Sequence, residues 1–189
     1  MSNKPEAAKK LETATLASGC FWCTEAVFSI IRGVETVESG YTGGNVPNPS
    51  YEQVSTGDTG HAEAVQLTFD PGAISYGEIL EIFFATHDPT TMNRQGPDVG
   101  TQYRSVIFYH DEAQKDIAQK TIEALRKEGV YDSPIVTQVV PYKAFYKAEE
   151  YHKDYYKQHQ DSAYCQQVIT PKLAKLQQKF LTKLKSPVF

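Results

Sequence analysis

Residues 13–31, TATLASGCFWCTEAVFSII, hold the reading on which the rest of the chain turns. Residues 13–17 alternate like a short strand and Ser18-Gly19 ends it. Residues 22–31 then carry apolar side chains at helical spacing until Gly33. A strand that feeds a helix through a two-residue break is the opening of a β-α-β unit. Cys20 falls at the helix start, where free N–H groups and the helix dipole favour negative charge. Its sulfur is therefore expected to ionise more readily than a free cysteine of pKa roughly 8.5.

Working outward, residues 34–41 read as a strand that runs into TGGNVPNP at 42–49, a loop by its glycines and prolines. Residues 62–69 alternate as a strand ended by Asp70-Pro71-Gly72, and residues 75–87 form a helix stopped by Asp88-Pro89. After another loop come a strand at 105–109, a helix at 111–128 capped by Gly129, and a strand at 135–140. Two β-α-β units result. The expected fold class is α+β, a ferredoxin-like two-layer α/β sandwich with helices on one face of the sheet and an irregular C-terminal extension wrapping the core. Residues 1–10 read as a flexible polar extension and residues 11–189 as a single catalytic domain. Within it, residues 141–189 form the wrap: a helix near 149–158, an irregular stretch at 161–165 and an amphipathic helix over 172–185.

The chain has 189 residues, 40% hydrophobic and 12% aromatic, enough for one substantial core. A net charge of −4 gives no general attraction to nucleic acid or anionic membranes, so neither is expected as a partner. Residues 1–10 lack the apolar segment of a signal peptide or spanning helix. Three cysteines, an odd number, argue for reduced working thiols in the cytoplasm rather than a secreted disulfide framework.

The Cys20-x-x-Cys23 pair admits several chemistries. A zinc knuckle needs two more ligands, and Cys165 has no second cysteine beside it, although His152 and His159 are candidates. A thioredoxin-like redox pair at a helix start and two inert buried cysteines are the other readings. Glu63 is the most conspicuous carboxylate, because it shares the strand face of Val65, Leu67 and Phe69. Buried without a cationic partner, it would keep a proton near neutrality and serve as a general acid; on a solvated face it would only decorate the sheet. His61 is the alternative acid, with a structural hydrogen bond as its ordinary role. Tyr51 and Tyr103 lie in loops as neutral hydrogen-bond donors or as packing aromatics, and Asp98 is equally at home as a turn residue. Phe21 and Trp22, next to Cys20, are core anchors or an apolar slot for a methyl group.

Several long motifs in order carry a resemblance. They are GCFW at 19–22, SGYTGG at 39–44, NPSY at 48–51, GDTGHAEA at 57–64, THDPT at 86–90, QGPDVGTQYRS at 95–105 and AEEYHKDYY at 148–156. Together they closely resemble the A-type peptide methionine sulfoxide reductases over most of the chain.

The resemblance implies Cys20 as the nucleophile toward the sulfur of methionine S-sulfoxide, free or in proteins. Glu63 would be the proton donor to its oxygen, with Tyr51 and Tyr103 assisting. It also implies a methyl pocket of Phe21 and Trp22, orientation of the substrate backbone by Asp98, and no cofactor or metal. A Cys20 sulfenic acid would give way to an intramolecular disulfide that thioredoxin reduces, in a monomeric enzyme that repairs oxidative damage. Cys165 resembles the resolving cysteine of many members. Cys23 stands where glycine is common, so it is a second resolver, a relay for the disulfide, or a buried thiol without redox work.

Overall fold

The computed structural model describes residues 10–186. The expected extension at 1–10 lies, apart from exposed Lys10, outside the described residues.

Strand β1 (Glu12–Ser18) passes into helix α1 (Phe21–Ser29) through Gly19, which has φ +95°. A Cβ at Gly19 would collide with the Gln95 side chain, so both the backbone angle and the space select glycine there. Strand β2 (Val34–Thr42) follows, then a five-residue helix α2 (Tyr51–Ser55) that the sequence reading left as loop. Its local signal is a capping box: Ser50 Oγ accepts from the Gln53 N–H while the Gln53 side chain accepts from the Ser50 N–H. Strand β3 (Ala62–Phe69) and helix α3 (Tyr76–Ala85) come next. A two-strand hairpin, β4 (Arg94–Gln95) with β5 (Asp98–Val99), and a 3₁₀ turn (Thr101–Tyr103) lead into strand β6 (Ser105–Tyr109) and helix α4 (Glu112–Lys127).

The last strands depart from expectation. Strand β7 covers Gln138–Pro141 rather than 135–140, because the Ile135 carbonyl accepts from Arg126 and the Val136 N–H donates to the Pro89 carbonyl instead of joining the ladder. Strand β8 (Phe145–Lys147) pairs with β2 inside what reads as irregular wrap. The remaining elements are a 3₁₀ turn (Glu150–His152), the short α5 (Tyr155–Gln158), a π-helical turn (Cys165–Ile169), α6 (Thr170–Phe180) and a 3₁₀ turn (Leu181–Lys183). The helix expected near 149–158 is therefore split into two short turns, and the one expected over 172–185 starts earlier, at Thr170 behind the π-helical turn, and ends at Phe180.

Six strands form one sheet in the order β7-β6-β1-β3-β2-β8, antiparallel except for the β6–β7 pair. Alternation along β3 sends Val65, Leu67 and Phe69 into the large core, with Leu16 of β1, Val27 and Phe28 of α1 and Ile79, Leu80 and Phe83 of α3. The opposite face is smaller. Ala17, Ala62, Ala64, Val106 and Phe108 bury there under Val140, Tyr142 and Phe145, so the wrap supplies a second thin core. The C-terminal end is tied back by the bridge between Ile31 and Leu184 and by Lys185 N–H donating to the Ile30 carbonyl. Among the described residues no helix is long and apolar enough to cross a membrane.

Gly40 lets β8 close on β2: a Cβ there would meet the Tyr146 carbonyl oxygen and the Phe145 ring. Gly40→Ala is expected to lower unfolding stability by about 1–3 kcal/mol, the usual range for overpacking. Urea unfolding of the two proteins checks this, and a difference within error would show that the strand pair yields at no cost.

Candidate active site

Leu16 of β1 pairs with Val65 of β3, so Glu63 lies two residues further on, at the end of the sheet where β1 gives way to α1. Its side chain reaches the helix start. Glu63 Oε2 accepts from the Phe21 N–H at 3.0 Å, filling one of the donors that a helix N-terminus leaves free. Tyr41, opposite Glu63 on β2, covers it from the other neighbour strand. Glu63 is only 2% exposed, and burial raises its pKa from an ordinary 4.5 to about 8 against the pull of the Phe21 N–H. At neutral pH it carries a proton.

Cys20 is the residue before α1, and its carbonyl accepts from the N–H groups of Cys23 and Thr24. Thr24 Oγ1 also donates to that carbonyl and lies 2.8 Å from Ser18 Oγ, which fixes the turn. The expected lowering of the Cys20 pKa does not occur. Burial, then the hydrogen bond with Cys23 and then the Glu63 charge, push it well above the ordinary thiol value. The physical reason is that the Phe21 N–H already serves a carboxyl, while the thiol itself is almost dry. Cys23 moves the other way, to about 7: the hydrogen bond from Cys20 draws it down, burial opposes, and Lys172 and Tyr164 assist.

The aromatic residues gather around this pair. The Phe21 ring stacks with Tyr51 at 6.5 Å, and Trp22 lies flat on Tyr155 at 3.6 Å. Tyr51 is raised to about 12 and Tyr103 further still. Burial is the leading cause for both, and the Glu63 and Cys20 charges also raise them, so both phenols sit in one electrostatic neighbourhood and stay protonated. Asp98 accepts from Tyr164 Oη at 2.8 Å; that hydroxyl is 3.6 Å from Cys23 Sγ, and the Tyr164 ring meets Trp22 edge-on. A groove of about 790 Å³ runs along Cys20, Cys23, Gln95, Asp98 and Lys172; neither Glu63 nor the two tyrosines line it.

Cys20, Glu63, Tyr51, Tyr103, Phe21, Trp22, Asp98 and Cys23 are therefore brought together. Cys165 is fully buried in its π-helical turn, one residue from Tyr164, and all three cysteines are free thiols. His61 takes the structural role: its ring accepts from the Gly44 N–H and faces the Val46 carbonyl at 2.7 Å. Tyr164 and Glu149 were missed as site residues, and His152 was weighed only as a metal ligand. Tyr164 adjoins Cys165, and the other two lie in the AEEYHKDYY motif, so adjacency and motif membership were the available signals.

The Glu63 shift has a thermodynamic sign. Its folded-state pKa lies above the unfolded one, so its contribution to stability is complete below about pH 4.5 and is lost as pH rises through about 8. Glu63→Gln keeps an acceptor for Phe21 without the charge. Relative to wild type it should gain unfolding free energy steadily between about pH 4.5 and about pH 8 and level off above; a flat difference in denaturant titrations would mean that Glu63 ionises in the fold without penalty.

A family model described as peptide methionine sulfoxide reductase matches residues 12–184. A curated relative named peptide methionine sulfoxide reductase MsrA, from Sulfolobus acidocaldarius, is 57% identical over 174 residues, covering 92% of this chain and 97% of its own. Among solved structures, Mxr1 from Saccharomyces cerevisiae in reduced form aligns with a TM-score of 0.75 at 38% identity, covering 86% of this chain and 92% of that one. Mxr1 in complex with Trx2 aligns at 0.54 and 29% identity, over 82% and 90%. With the family match spanning nearly all described residues and the buried acid set against the Cys20 turn, the chain belongs to the A-type peptide methionine sulfoxide reductases and is an enzyme of that activity.

Proposed function

We propose that this chain reduces the S epimer of methionine sulfoxide, free or within proteins, through a sulfenic acid on Cys20. The observation that carries the reading is the protonated, buried Glu63 bonded to the first N–H of the helix that Cys20 begins. Oxide is a very poor leaving group, so a thiol can displace it only where a proton donor is already in place.

As Cys20 attacks the sulfoxide sulfur, its own proton passes across their hydrogen bond to Cys23, which acts from its thiolate form, and Glu63 protonates the oxygen. Tyr51 and Tyr103 hold that oxygen with neutral O–H donors. The transient bond between Cys20 and the substrate sulfur and the substrate S–O bond both break as a bond forms from Cys20 Sγ to the hydroxyl oxygen, leaving a Cys20 sulfenic acid and free methionine. The proton counts match: one leaves Cys20 and one leaves Glu63, one arrives on Cys23 and one remains on the sulfenic oxygen. Phe21 and Trp22 receive the methyl group. Asp98 receives the substrate backbone, and to do so it must give up its bond from Tyr164.

The Cys165 thiol then condenses with the sulfenic acid, releasing water and leaving a Cys20–Cys165 disulfide; Cys23 relays that disulfide outward along the groove it lines. Thioredoxin is the reductant, a reading supported by the complex of Saccharomyces cerevisiae Mxr1 with Trx2. Residues 11–189 act as one catalytic domain, supported by β8 joining the central sheet and by the Ile31–Leu184 bridge. A ferredoxin-like core is supported by the β6-β1-β3-β2 run, antiparallel throughout, with α1, α3 and α4 on the large-core side. Three free thiols suit the cytoplasm.

Single-turnover kinetics with blocked methionine S-sulfoxide test the core of this. Cys20→Ser should form no methionine, and Glu63→Gln should slow its release by about 10²–10⁴-fold, the usual cost of a lost positioned acid. The wild-type rate should fall as pH rises through about 8, where Glu63 loses its proton. A wild-type rate in Glu63→Gln would remove the acid from the mechanism. Cys165→Ser should still yield one equivalent of methionine while thioredoxin-driven cycling drops sharply. If cycling continues unimpaired and peptide mapping finds a Cys20–Cys23 bond, Cys23 is the resolver.

A further inference from the structure

The groove beside the two thiols is larger than the reacting atoms require. Its volume of about 790 Å³ falls within the range of roughly 300–1,000 Å³ that takes a whole small ligand, whereas the methyl group and sulfoxide of one side chain fill only part of it. Beyond Cys20, Cys23 and Asp98, its lining includes Lys172 and Lys175 of α6. Lys172 is half-buried in the first turn of that helix, and among the described residues it has no ion pair with any carboxylate. A partly dried ammonium without a counter-ion is uncommon, because removing it from water has a cost that a partner usually offsets. Lys175, one turn on, is exposed.

Lys172 and Asp98 share the groove as opposite charges that do not touch. Burial raises the Asp98 carboxyl, and the Tyr164 hydrogen bond and then the Lys172 cation pull it back down. Cys23, drawn down first by Cys20, and His87, lowered first by burial, register the same cation. The ammonium therefore lies close to the chemistry without being committed to a protein carboxylate. We infer that Lys172 is a specificity-determining residue: while Asp98 receives the substrate backbone, Lys172 forms a subsite for a carboxylate on the sulfoxide residue or on its neighbour in the peptide. The inference rests on the reading of this groove as the substrate's. Two sources supply that carboxylate, the α-carboxylate of a C-terminal methionine sulfoxide and the side chain of an adjoining Asp or Glu.

A carboxylate in this subsite gains charge-assisted hydrogen bonds from an ammonium that folding has already partly dried. Exposed Lys175 offers less, since water and salt screen a surface pair. Asp98 adds direction: it repels a carboxylate laid against it and so turns the substrate's anionic group toward Lys172. The other lining carboxylates do not compete for Lys172. Asp88 Oδ1 accepts from the Thr90 N–H and hydroxyl, and Asp132 stands exposed. A glutamine in place of a substrate glutamate fills the same space without the charge, so the pair isolates the electrostatic part.

Single turnover of the full chain with three pairs of blocked methionine S-sulfoxide compounds tests this. The first pair is the N-acetyl acid against the N-acetyl amide; the second and third carry glutamate against glutamine after and before the sulfoxide residue. In wild type at least one pair should show about a tenfold lower half-saturating concentration for its carboxylate member, the usual worth of a charge-assisted hydrogen bond, and that pair identifies the source. Lys172→Met should bring the ratio close to one, while Lys172→Arg, which keeps the charge, and Lys175→Met should each hold it within about threefold of wild type. Because Lys172 also acts on Cys23, its loss can change the rate with every substrate, and such a change divides out of the ratio. Three results would overturn the proposal: no pair with a preference, a preference that survives Lys172→Met, or one that Lys175→Met removes as fully. The neutral amide separates the two layers. If it is not reduced, the functional reading fails and the subsite with it; if it is reduced and no pair differs, only the subsite fails.

Discussion

A single hydrogen bond, from the Phe21 N–H to the Glu63 carboxyl, joins the middle of the sheet to the first turn of α1. It satisfies a helix donor that would otherwise be buried and empty, and it brings an acidic proton to the residue that begins the helix. The same contact explains why the two thiols differ. With the helix start already serving a carboxyl, the negative charge moves three residues on to Cys23, where Tyr164 and Lys172 receive it. Glu63, Cys20 and Cys23 are thus one electrostatic system, and changing any one of them shifts the other two.

Residues from the C-terminal third complete that system from outside. Tyr155 covers one face of Trp22, His152 takes its N–H, and Tyr164 occupies Asp98. Beneath them, Phe145 and Tyr142 close the thin core over Ala62 and Ala64, on the sheet face opposite α1. Small residues on that face let the wrap lie close to the strands. Gly40 is the sharpest instance, since the Phe145 ring sits where any side chain would be.

Much of this was legible in the residues. The strands at 62–69 and 105–109 match their observed bounds, because alternation and flanking turn residues fix both ends. Glu63 stood out as a charge on an apolar face, which is what its burial bears out. What could not be read depends on distant partners. Helix α2 is too short to show periodicity, and β8 has three residues whose only reason to extend is the open edge of β2. The direction of the Cys20 shift was misjudged because local sequence shows the helix end but neither the burial of the thiol, which raises it most, nor the carboxyl, 43 residues away, that occupies the first helix N–H. Tyr164 and His152 escaped for a similar reason: an aromatic or a histidine in a wrap segment has no pattern to mark it until the fold brings Asp98 and Trp22 beneath it.

The long tie between the two ends of the fold has a consequence for biosynthesis. Cys20 and Glu63 lie within the first 63 residues, yet β8, the Trp22 contacts and the Ile31–Leu184 bridge draw on residues 145–184. A chain growing on the ribosome at roughly 5–20 residues per second therefore carries Cys20 for several seconds before the surfaces that bury it have been made. During that interval the Cys20 thiol of an enzyme devoted to oxidised sulfur is itself open to oxidants. Its high pKa in the finished fold is acquired late, with the arrival of the segment that seals it.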